Sequence, residues 1–343
     1  MPQPFISVII PCRNEEAFIS KCLDSLLAND YPHDKIEFFV IDGLSTDNTL
    51  NIVRSYLNIF PFIKIFRNQK RIFPAAVNIG IKESRGDLVF IVGAHATYEP
   101  DYFSKCVDNS LKNSADNVGG VLQTVPFDNN LAGSLISFVL SNPFGVGNSR
   151  FRTGSGAVLE VDTVFGGCYK KEVFRKYGIF NERLTSTSDY EFNRRIRKHG
   201  ARILLFPDIK VTYYTRSTIK TFIKNNLRNG FWAIYPIALS DNFPVSLRHF
   251  IPLIFILSML LFSGLSFEWS FFIKALIVML LIYLSCSLYF SIRSINKRLH
   301  LIPFLPILFF ILHLTYGLGS LWGTIRVILF KIKNLRDSSL LFG

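Results

Sequence analysis

Residues 36–49 read I-E-F-F-V-I-D-G-L-S-T-D-N-T. Apart from Glu37 the first six are apolar, aromatic or β-branched, the pattern of a strand covered on both faces. The run stops on Asp42 and Gly43, and the cluster of turn formers behind them leads into a helix expected over residues 47–57, with Asp47 as its N-cap. Working back, residues 6–10 form a second buried strand ended by Pro11, and residues 15–27 carry a helical pattern between the two. Working forward, strands are expected at 63–66 and 88–92, with a helix at 75–83 between them. Strands alternating with helices predict an α/β domain with a parallel, doubly wound sheet. Ligands bind such sheets beyond the carboxyl ends of the strands, where Asp42 can accept hydrogen bonds from a ribose or a base N–H. A carboxylate at a strand end is also a common turn former, so both readings of Asp42 stand.

Apolar residues make up 49% of the 343 residues, and they are unevenly placed. The first 240 residues read as an ordinary soluble domain, whereas Leu, Ile and Phe dominate from Ile251 onward. Three hydrophobic stretches, 250–267, 271–290 and 301–330, are candidates for membrane helices. Arg293, Lys297 and Arg298 follow the second, which returns the chain to the cytoplasm after a hairpin. The third is followed by Lys331, Lys333 and Arg336, which a single crossing would leave outside. Pro303, Pro306 and the glycines at 317, 319 and 323 permit a broken or re-entrant path there.

The net charge of +13 would suit nucleic acid or an anionic membrane surface. From Arg194 to Arg228 there are ten Lys or Arg against one acid, Asp208, directly before the apolar region. That placement favours membrane, and no nucleic-acid partner is expected because no recognition motif accompanies the charge. Within this segment Ile219, Phe222, Ile223, Leu227, Phe231 and Ile234 recur at helical spacing, with Lys220, Lys224 and Arg228 on another face. A basic amphipathic helix of this kind suits a membrane interface, and it also suits a helix packed on the catalytic domain. The expected division is a catalytic domain over 1–215, an interfacial helix and linker over 216–248, and a transmembrane region over 249–343. The first five residues lack a basic signal-type start, so the catalytic part is expected in the cytoplasm of a multi-pass inner-membrane protein. Cys12, Cys22, Cys106, Cys168 and Cys286 form no C-x-x-C pair and no zinc spacing, which leaves packing as their role.

Six segments in order resemble the family-2 glycosyltransferases. They are S-V-I-I-P-C-R-N-E-E (7–16), V-I-D-G-L-S-T-D-N-T (40–49), F-P-A-A-V-N-I-G-I-K-E-S-R-G-D (73–87), A-H-A-T-Y-E-P-D-Y (94–102), V-D-T-V-F-G-G-C-Y-K-K-E-V-F (161–174) and S-D-Y-E-F-N-R-R (188–195). The likeness is strongest to bacterial enzymes of the succinoglycan type, which extend lipid-linked exopolysaccharide repeats. It implies a GT-A fold, a Rossmann-like nucleotide-sugar-binding domain with a nucleotide half followed by an acceptor half. It places Pro11, Arg13 and Glu15 in the loop that meets the nucleoside, Asp42 at the acid that holds base or ribose, and Arg71 where a basic residue approaches the donor. First-turn helix acid for Glu15 and surface charge for Arg71 are the plain structural readings beside these.

The sequence departs from the family at the metal motif. Asp-x-Asp or Asp-x-His is usual after the strand expected at 88–92, and here the positions are Gly93, Ala94 and His95. His95 is a candidate ligand for Mn²⁺ or Mg²⁺ or a direct donor to phosphate, and imidazole suits Mn²⁺ better. Asp189 falls at the family's catalytic-base position, where a carboxylate would take the proton of an attacking sugar hydroxyl. Glu191 is expected to support the site or a helix start. R-N-G-F-W (228–232) stands where processive synthases carry Gln-x-x-Arg-Trp and does not match it, which favours transfer of one sugar. Trp232 is a candidate for stacking on an acceptor sugar or for anchoring at the interface. The resulting expectation is an inverting enzyme that moves one sugar from a nucleotide donor, UDP-linked, to a polyprenyl-linked acceptor at the membrane. A non-catalytic nucleotide-sugar-binding homologue and a processive synthase are the alternatives.

Overall fold

Strand β1 (Ile6–Cys12) pairs in parallel with β2 (Ile36–Asp42) on one side and with β4 (Leu88–Ile91) on the other, and β3 (Ile63–Arg67) lies parallel outside β2. The computed structural model describes residues 3–128, 130–215, 217–239, 246–294 and 299–339. Helices α1 (Ile19–Leu27), α2 (Thr49–Leu57) and α3 (Phe73–Glu83) connect these four strands. Beyond them follow β5 (Ala96–Tyr98), α4 (Tyr102–Lys112), β6 (Asn117–Pro126), α5 (Leu131–Ser141), α6 (Pro143–Val146) and α7 (Arg150–Thr153). Next come β7 (Leu159–Glu160), β8 (Cys168–Lys170), α8 (Lys171–Tyr177), α9 (Ser188–Lys198) and β9 (Ile203–Thr215). The last helices are α10 (Ile219–Ile234), α11 (Ile251–Leu265), α12 (Ser270–Ser294) and α13 (Leu305–Ser339).

The sheet order is β3-β2-β1-β4-β8-β6-β9-β5, with β7 beside β9. The expected all-parallel sheet is therefore right only for the first four strands. β8 runs antiparallel to β4 and to β6, and β5 and β7 run antiparallel to β9, so the second half is mixed. Side chains alternate across this sheet as the pleat requires. Ile6, Val8, Phe38, Val40 and Phe90 face a core built with α1, α2 and α4, while Ile9, Phe39, Ile41, Val89 and Ile91 face one built with α3, α8 and α9. Fully enclosed rings such as Phe90 and Phe103 set the scale, since truncating one to alanine costs about 3 to 5 kcal/mol. Cys12, Cys22, Cys106 and Cys168 sit in this first core, and burial pushes their thiols up, so none is a ready nucleophile.

Two helix starts differ from expectation for local reasons. α1 begins at Ile19 rather than Glu15, because Asn14 is left-handed (φ 55°) and the chain first turns through Glu15, whose carbonyl accepts from Phe18 and Ile19. α2 begins at Thr49, and Asp47 serves its start by accepting from the Thr49 N–H (3.1 Å) and hydroxyl (2.6 Å).

The chain forms two compact units. One holds residues 1–123 and 150–214, and the other holds 124–149 and 215–343, so α5 and α6 group with the C-terminal helices. In that second unit Leu135, Ile136 and Val139 of α5 share a core with Phe222, Leu305, Leu308, Phe309 and Leu312. Three helices are long and apolar enough to cross a membrane, at Leu247–Leu265, Ser270–Ser294 and Leu305–Asn334. The third follows no broken path, since α13 is one continuous helix. Pro306 stands in its first turn, where a missing N–H costs nothing. Its glycines permit close packing rather than a break: a β-carbon on Gly319 would stand 2.1 Å from the Leu227 carbonyl oxygen, and one on Gly317 would stand 2.4 Å from that of Pro252. Across the same seam a β-carbon on Gly230 of α10 would meet the Tyr316 carbonyl at 2.0 Å. The buried face of α10 thus lies on α13, while Lys220, Lys224 and Arg228 remain exposed. Lys297 and Arg298 lie outside the described residues, as does the side chain of Arg336.

Candidate active site

Strand order reverses about β1, which has β2 and β3 on one flank and β4 on the other, so a crevice opens at the carboxyl ends of β1 and β4. Pro11 is the half-buried penultimate residue of β1. The loop after β1 is stitched to the loop after β2 by side-chain to backbone hydrogen bonds. Asn14 N–H donates to Ser45 Oγ (3.0 Å), Thr46 N–H to Asn14 Oδ1 (2.8 Å) and Glu15 N–H to Thr49 Oγ1 (2.8 Å). Glu16 and residues 47–48 add a reciprocal pair, Glu16 N–H to Asp47 Oδ2 (3.2 Å) and Asn48 N–H to Glu16 Oε2 (2.9 Å). This lattice presents Arg13 exposed and Glu15 buried.

Asp42 is fully enclosed, and its carboxylate accepts from the Ser45 hydroxyl (2.5 Å) and N–H (3.2 Å). The turn-building reading is thus realised in the fold. Arg71 is exposed on a left-handed residue (φ 57°) in a short loop pinned by buried Asn68, which accepts from Lys70 N–H and donates to the Ile72 carbonyl (2.8 Å). Asn68 N–H in turn donates to the Asp42 carbonyl (2.8 Å), tying that loop to the end of β2. Of the five left-handed non-glycine residues among those described, Asn14, Leu44, Arg71 and Thr187 lie in loops beside candidate residues, and Ser114 does not. Backbone strain of this kind, about 1 to 3 kcal/mol each, collects where function over-determines conformation.

His95 follows β4 and meets Glu15, Nδ1 to Oε1 at 3.5 Å, while its ring packs against Tyr213 (5.1 Å) and Phe18 (6.2 Å). Two adjacent ligands of an octahedral divalent ion stand roughly 3 Å apart, given bonds of about 2.1 Å. His95 and Glu15 are the side chains here that would hold a divalent cation. No third His, Cys, Asp or Glu completes a metal site among the described residues, so the rest of the shell would come from the donor's diphosphate. Gly93 supplies nothing, and the ring of Phe165 lies over it.

Asp189 occupies the first turn of α9, entered through left-handed Thr187. Its carboxylate has an open face, yet protein atoms crowd the rest of it. That desolvation raises its carboxyl above the ordinary range, against the pull of the Tyr190 and Asp189 N–H groups and the charge of Arg152. Glu191 behind it is buried and paired twice with Arg195 (3.0 and 3.3 Å), so it props the helix. A buried amide, Asn193, accepts from Tyr169 Oη (3.0 Å) and donates to Thr163 Oγ1 (2.9 Å), which fixes α9 against the sheet.

The profile of the family described as Glycosyl transferase family 2 matches residues 7–178. A Methanococcus voltae protein, dolichyl N-acetyl-alpha-D-glucosaminyl phosphate 3-beta-D-2,3-diacetamido-2,3-dideoxy-beta-D-glucuronosyltransferase, is 31% identical over 94% of this chain and 98% of its own. The chain belongs to glycosyltransferase family 2. This glycosyltransferase is also similar to succinoglycan biosynthesis protein ExoA of Rhizobium meliloti, 28% identical over 68% of this chain and 74% of that one. In fold it is similar to a mannosyltransferase of Pyrobaculum calidifontis solved with GDP-Man and Mn²⁺. The TM-score there is 0.54 at 20% identity, over 98% of this chain and 88% of that one. The domain is accordingly GT-A-like.

The structure brings Pro11, Arg13, Glu15, Asp42 and His95 to adjoining strand ends of the glycosyltransferase, with Arg71 one loop further. Trp232 lies in the second unit, where it packs against Phe231 (5.6 Å) and Tyr235 (5.8 Å). Sequence reasoning missed Ser45 and Asn68, which hold the loops, and Arg152, Phe165 and Tyr213, which line the region beyond His95. Only Ser45 and Phe165 carried a signal, as unassigned members of matching segments.

Proposed function

We propose that this glycosyltransferase moves a single sugar from a nucleotide-sugar donor, UDP-linked, to a lipid-linked saccharide during assembly of a cell-surface polysaccharide or glycan. The observation that carries this reading is the stitched pair of loops that brings Arg13, Glu15, Asp42 and His95 to adjoining strand ends. The dolichyl-linked substrate in the name of the Methanococcus voltae relative and the succinoglycan assignment of the Rhizobium meliloti relative support the acceptor class. Asp189 takes the proton of the acceptor hydroxyl as its oxygen attacks the anomeric carbon, and the bond from that carbon to the diphosphate oxygen breaks on the opposite face. The electron pair leaves with the nucleoside diphosphate, and a single displacement inverts the anomeric centre. A divalent cation, held by His95 and Glu15, would supply charge compensation to the departing diphosphate. Arg71 approaches the donor from the neighbouring loop, and Trp232 is assigned to stack on the acceptor sugar.

In this proposal the enzyme is a multi-pass protein of the inner membrane with a cytoplasmic catalytic domain, and α11 and α12 cross the bilayer as a hairpin. α13 is read as lying along the cytoplasmic base of that hairpin. Half of its most apolar window is buried inside the protein, against 11% and 6% for the other two. Its contacts fall near the cytoplasmic ends: Tyr316 Oη meets His249 Nδ1 (2.7 Å) just before α11, and Phe310 meets Phe255 (6.2 Å). Phe144 bridges Phe290 (5.5 Å), near the end of α12, to Phe309 (5.1 Å). His313 reaches Tyr283 (2.8 Å), which tilts this part of α13 into the interface. Such a path keeps Lys331, Lys333 and Arg336 on the cytoplasmic side, as the distribution of basic residues requires. The test of function is nucleotide release by the detergent-solubilised enzyme against a panel of nucleotide sugars and lipid-linked acceptors, with Mn²⁺, Mg²⁺ or EDTA. Release from a UDP-sugar that depends on a lipid-linked acceptor is expected, and no release with any pair would overturn it.

A further inference from the structure

Arg152 stands in α7, outside every segment that matches the family by motif. Its guanidinium lies 5.3 Å from the Phe151 ring and 5.4 Å from the Tyr213 ring, measured to the ring centroids. Its Nη1 atom is buried and has no hydrogen-bond partner among the described residues. Leaving a charged donor enclosed and unused costs more than leaving a neutral one, so a fold that keeps it there has an acceptor in view. The Tyr213 ring that supports Arg152 also supports His95 (5.1 Å) and Phe165 (5.7 Å), and the Phe165 ring covers Gly93. Arg152 therefore belongs to the same aromatic platform as the residues after β4, and its charge is also felt at Asp189.

Two chemical facts meet on this platform. The leaving nucleoside diphosphate must be stabilised as negative charge gathers on it, and the carboxylate that usually helps to hold a metal there is missing at Gly93. A planar, permanently charged fork with an unused N–H is the side chain best suited to phosphate oxygens.

We propose that Arg152 binds the diphosphate of the donor and stabilises it as it departs. When the bond from the anomeric carbon to the diphosphate oxygen breaks, the electron pair goes to that oxygen, and Arg152 donates a hydrogen bond to the diphosphate. The inference rests on the donor reading of the crevice given above.

The experiment is calorimetric binding of UDP, UMP, GDP and GMP to the full-length enzyme in detergent, for wild type, Arg152→Gln and Arg152→Lys, with thermal unfolding as a check on folding. Arg152→Gln is expected to weaken the preferred nucleoside diphosphate by roughly 10- to 100-fold, the scale of one charge-assisted hydrogen bond, while its monophosphate changes less than about twofold. Arg152→Lys should fall between, and it carries the test alone if the Gln variant fails to fold. Equal weakening of diphosphate and monophosphate, or no weakening of either, in a folded variant would overturn the role of Arg152 alone. A wild type that binds none of the four nucleotides would overturn the donor reading and this inference with it.

Discussion

The Cζ atom of Phe165 lies 2.9 Å from the point where a β-carbon on Gly93 would stand. Gly166 makes this possible. It is left-handed (φ 63°), and its own β-carbon would meet the Ile91 carbonyl at 2.2 Å, so only glycine lets the chain cross the end of β4 and set Phe165 down there. Glycine at 93 and phenylalanine at 165 thus form one feature. Gly93→Asp alone is expected to force the ring aside and cost about 1 to 3 kcal/mol of stability, without creating a better cation site. Gly93→Asp with Phe165→Leu should recover part of that stability and bind Mn²⁺ more tightly than wild type, because the added carboxylate then points into vacated space beside His95. Thermal unfolding and Mn²⁺ calorimetry on both variants decide it, and equal Mn²⁺ affinity in all three proteins would break the link between the two positions.

Asp42 and Ser45 separate ligand binding from turn building. Asp42→Ala strands the Ser45 hydroxyl and N–H, which should cost about 1 to 3 kcal/mol of stability and loosen the loop that carries Arg13. Ser45→Ala removes much of the same turn but keeps the carboxylate. If Asp42 touches the donor, UDP affinity should fall at least tenfold further in Asp42→Ala than in Ser45→Ala. Matching losses in both variants would reduce Asp42 to a builder of the turn.

The seam between α10 and α13 makes a prediction about topology and packing together. Gly319→Val should push α10 off α13 and lower the unfolding temperature in detergent, since its β-carbon meets the Leu227 backbone, which has no rotamer to offer. Lys220→Gln, Lys224→Gln and Arg228→Gln combined should leave folding intact and weaken binding to anionic vesicles, at roughly 1 kcal/mol per charge. If α13 lies at the cytoplasmic face, a cysteine placed at Asn334 reacts with a membrane-impermeant maleimide only in inside-out vesicles. Labelling from the outer side would return α13 to a full crossing.

The first four strands and their helices were legible because each rests on local chemistry: unbroken β-branched runs, Pro11 as a stop, and Asp42-Gly43 as a turn. The same local reading took Glu15 for a helix start, because nothing in R-N-E-E announces that Asn14 turns left-handed to meet Ser45. In the antiparallel half, β7 and β8 escaped because they are only two and three residues long, too short to show a period, while the longer β6 and β9 were not read from the sequence at all. Glycines 317, 319 and 323 read as weak points in α13, when the reason for them is close packing on two earlier helices, α11 at Gly317 and α10 at Gly319 and Gly323. Arg152 had no reading at all, and Phe165 only an unassigned place in the segment 161–174, since what they do depends on Tyr213 and Gly93, which only the folded sheet brings near them. The segments 7–16, 40–49 and 188–195 marked where to look, and the contacts between loops gave the site its shape.

Asp189 yields the prediction on which the proposed mechanism depends. Crowding by protein atoms raises its carboxyl, which means that the folded state holds the proton more tightly than the unfolded chain does. As pH rises from below the unfolded value through the raised folded value, ionising Asp189 therefore costs stability. Asp189→Asn should accordingly unfold at a higher temperature than wild type near pH 7, and this gain should vanish in acid where both side chains are neutral. Catalysis runs the opposite way, because only the carboxylate can accept the acceptor's proton. Turnover of Asp189→Asn is expected to fall by roughly 10²- to 10⁴-fold with donor affinity nearly unchanged. The acid limb of the wild-type rate profile should lie above the ordinary carboxylate value of about 4. In Arg152→Gln the limb for free enzyme should move higher still, because the charge that opposed the shift is gone. The measurements are unfolding curves at several pH values and kcat/KM profiles for the three proteins. A folded Asp189→Asn enzyme that turns over at near wild-type rate would remove Asp189 as the base, and a helix-start role for this carboxylate would then account for the geometry without any part in the chemistry.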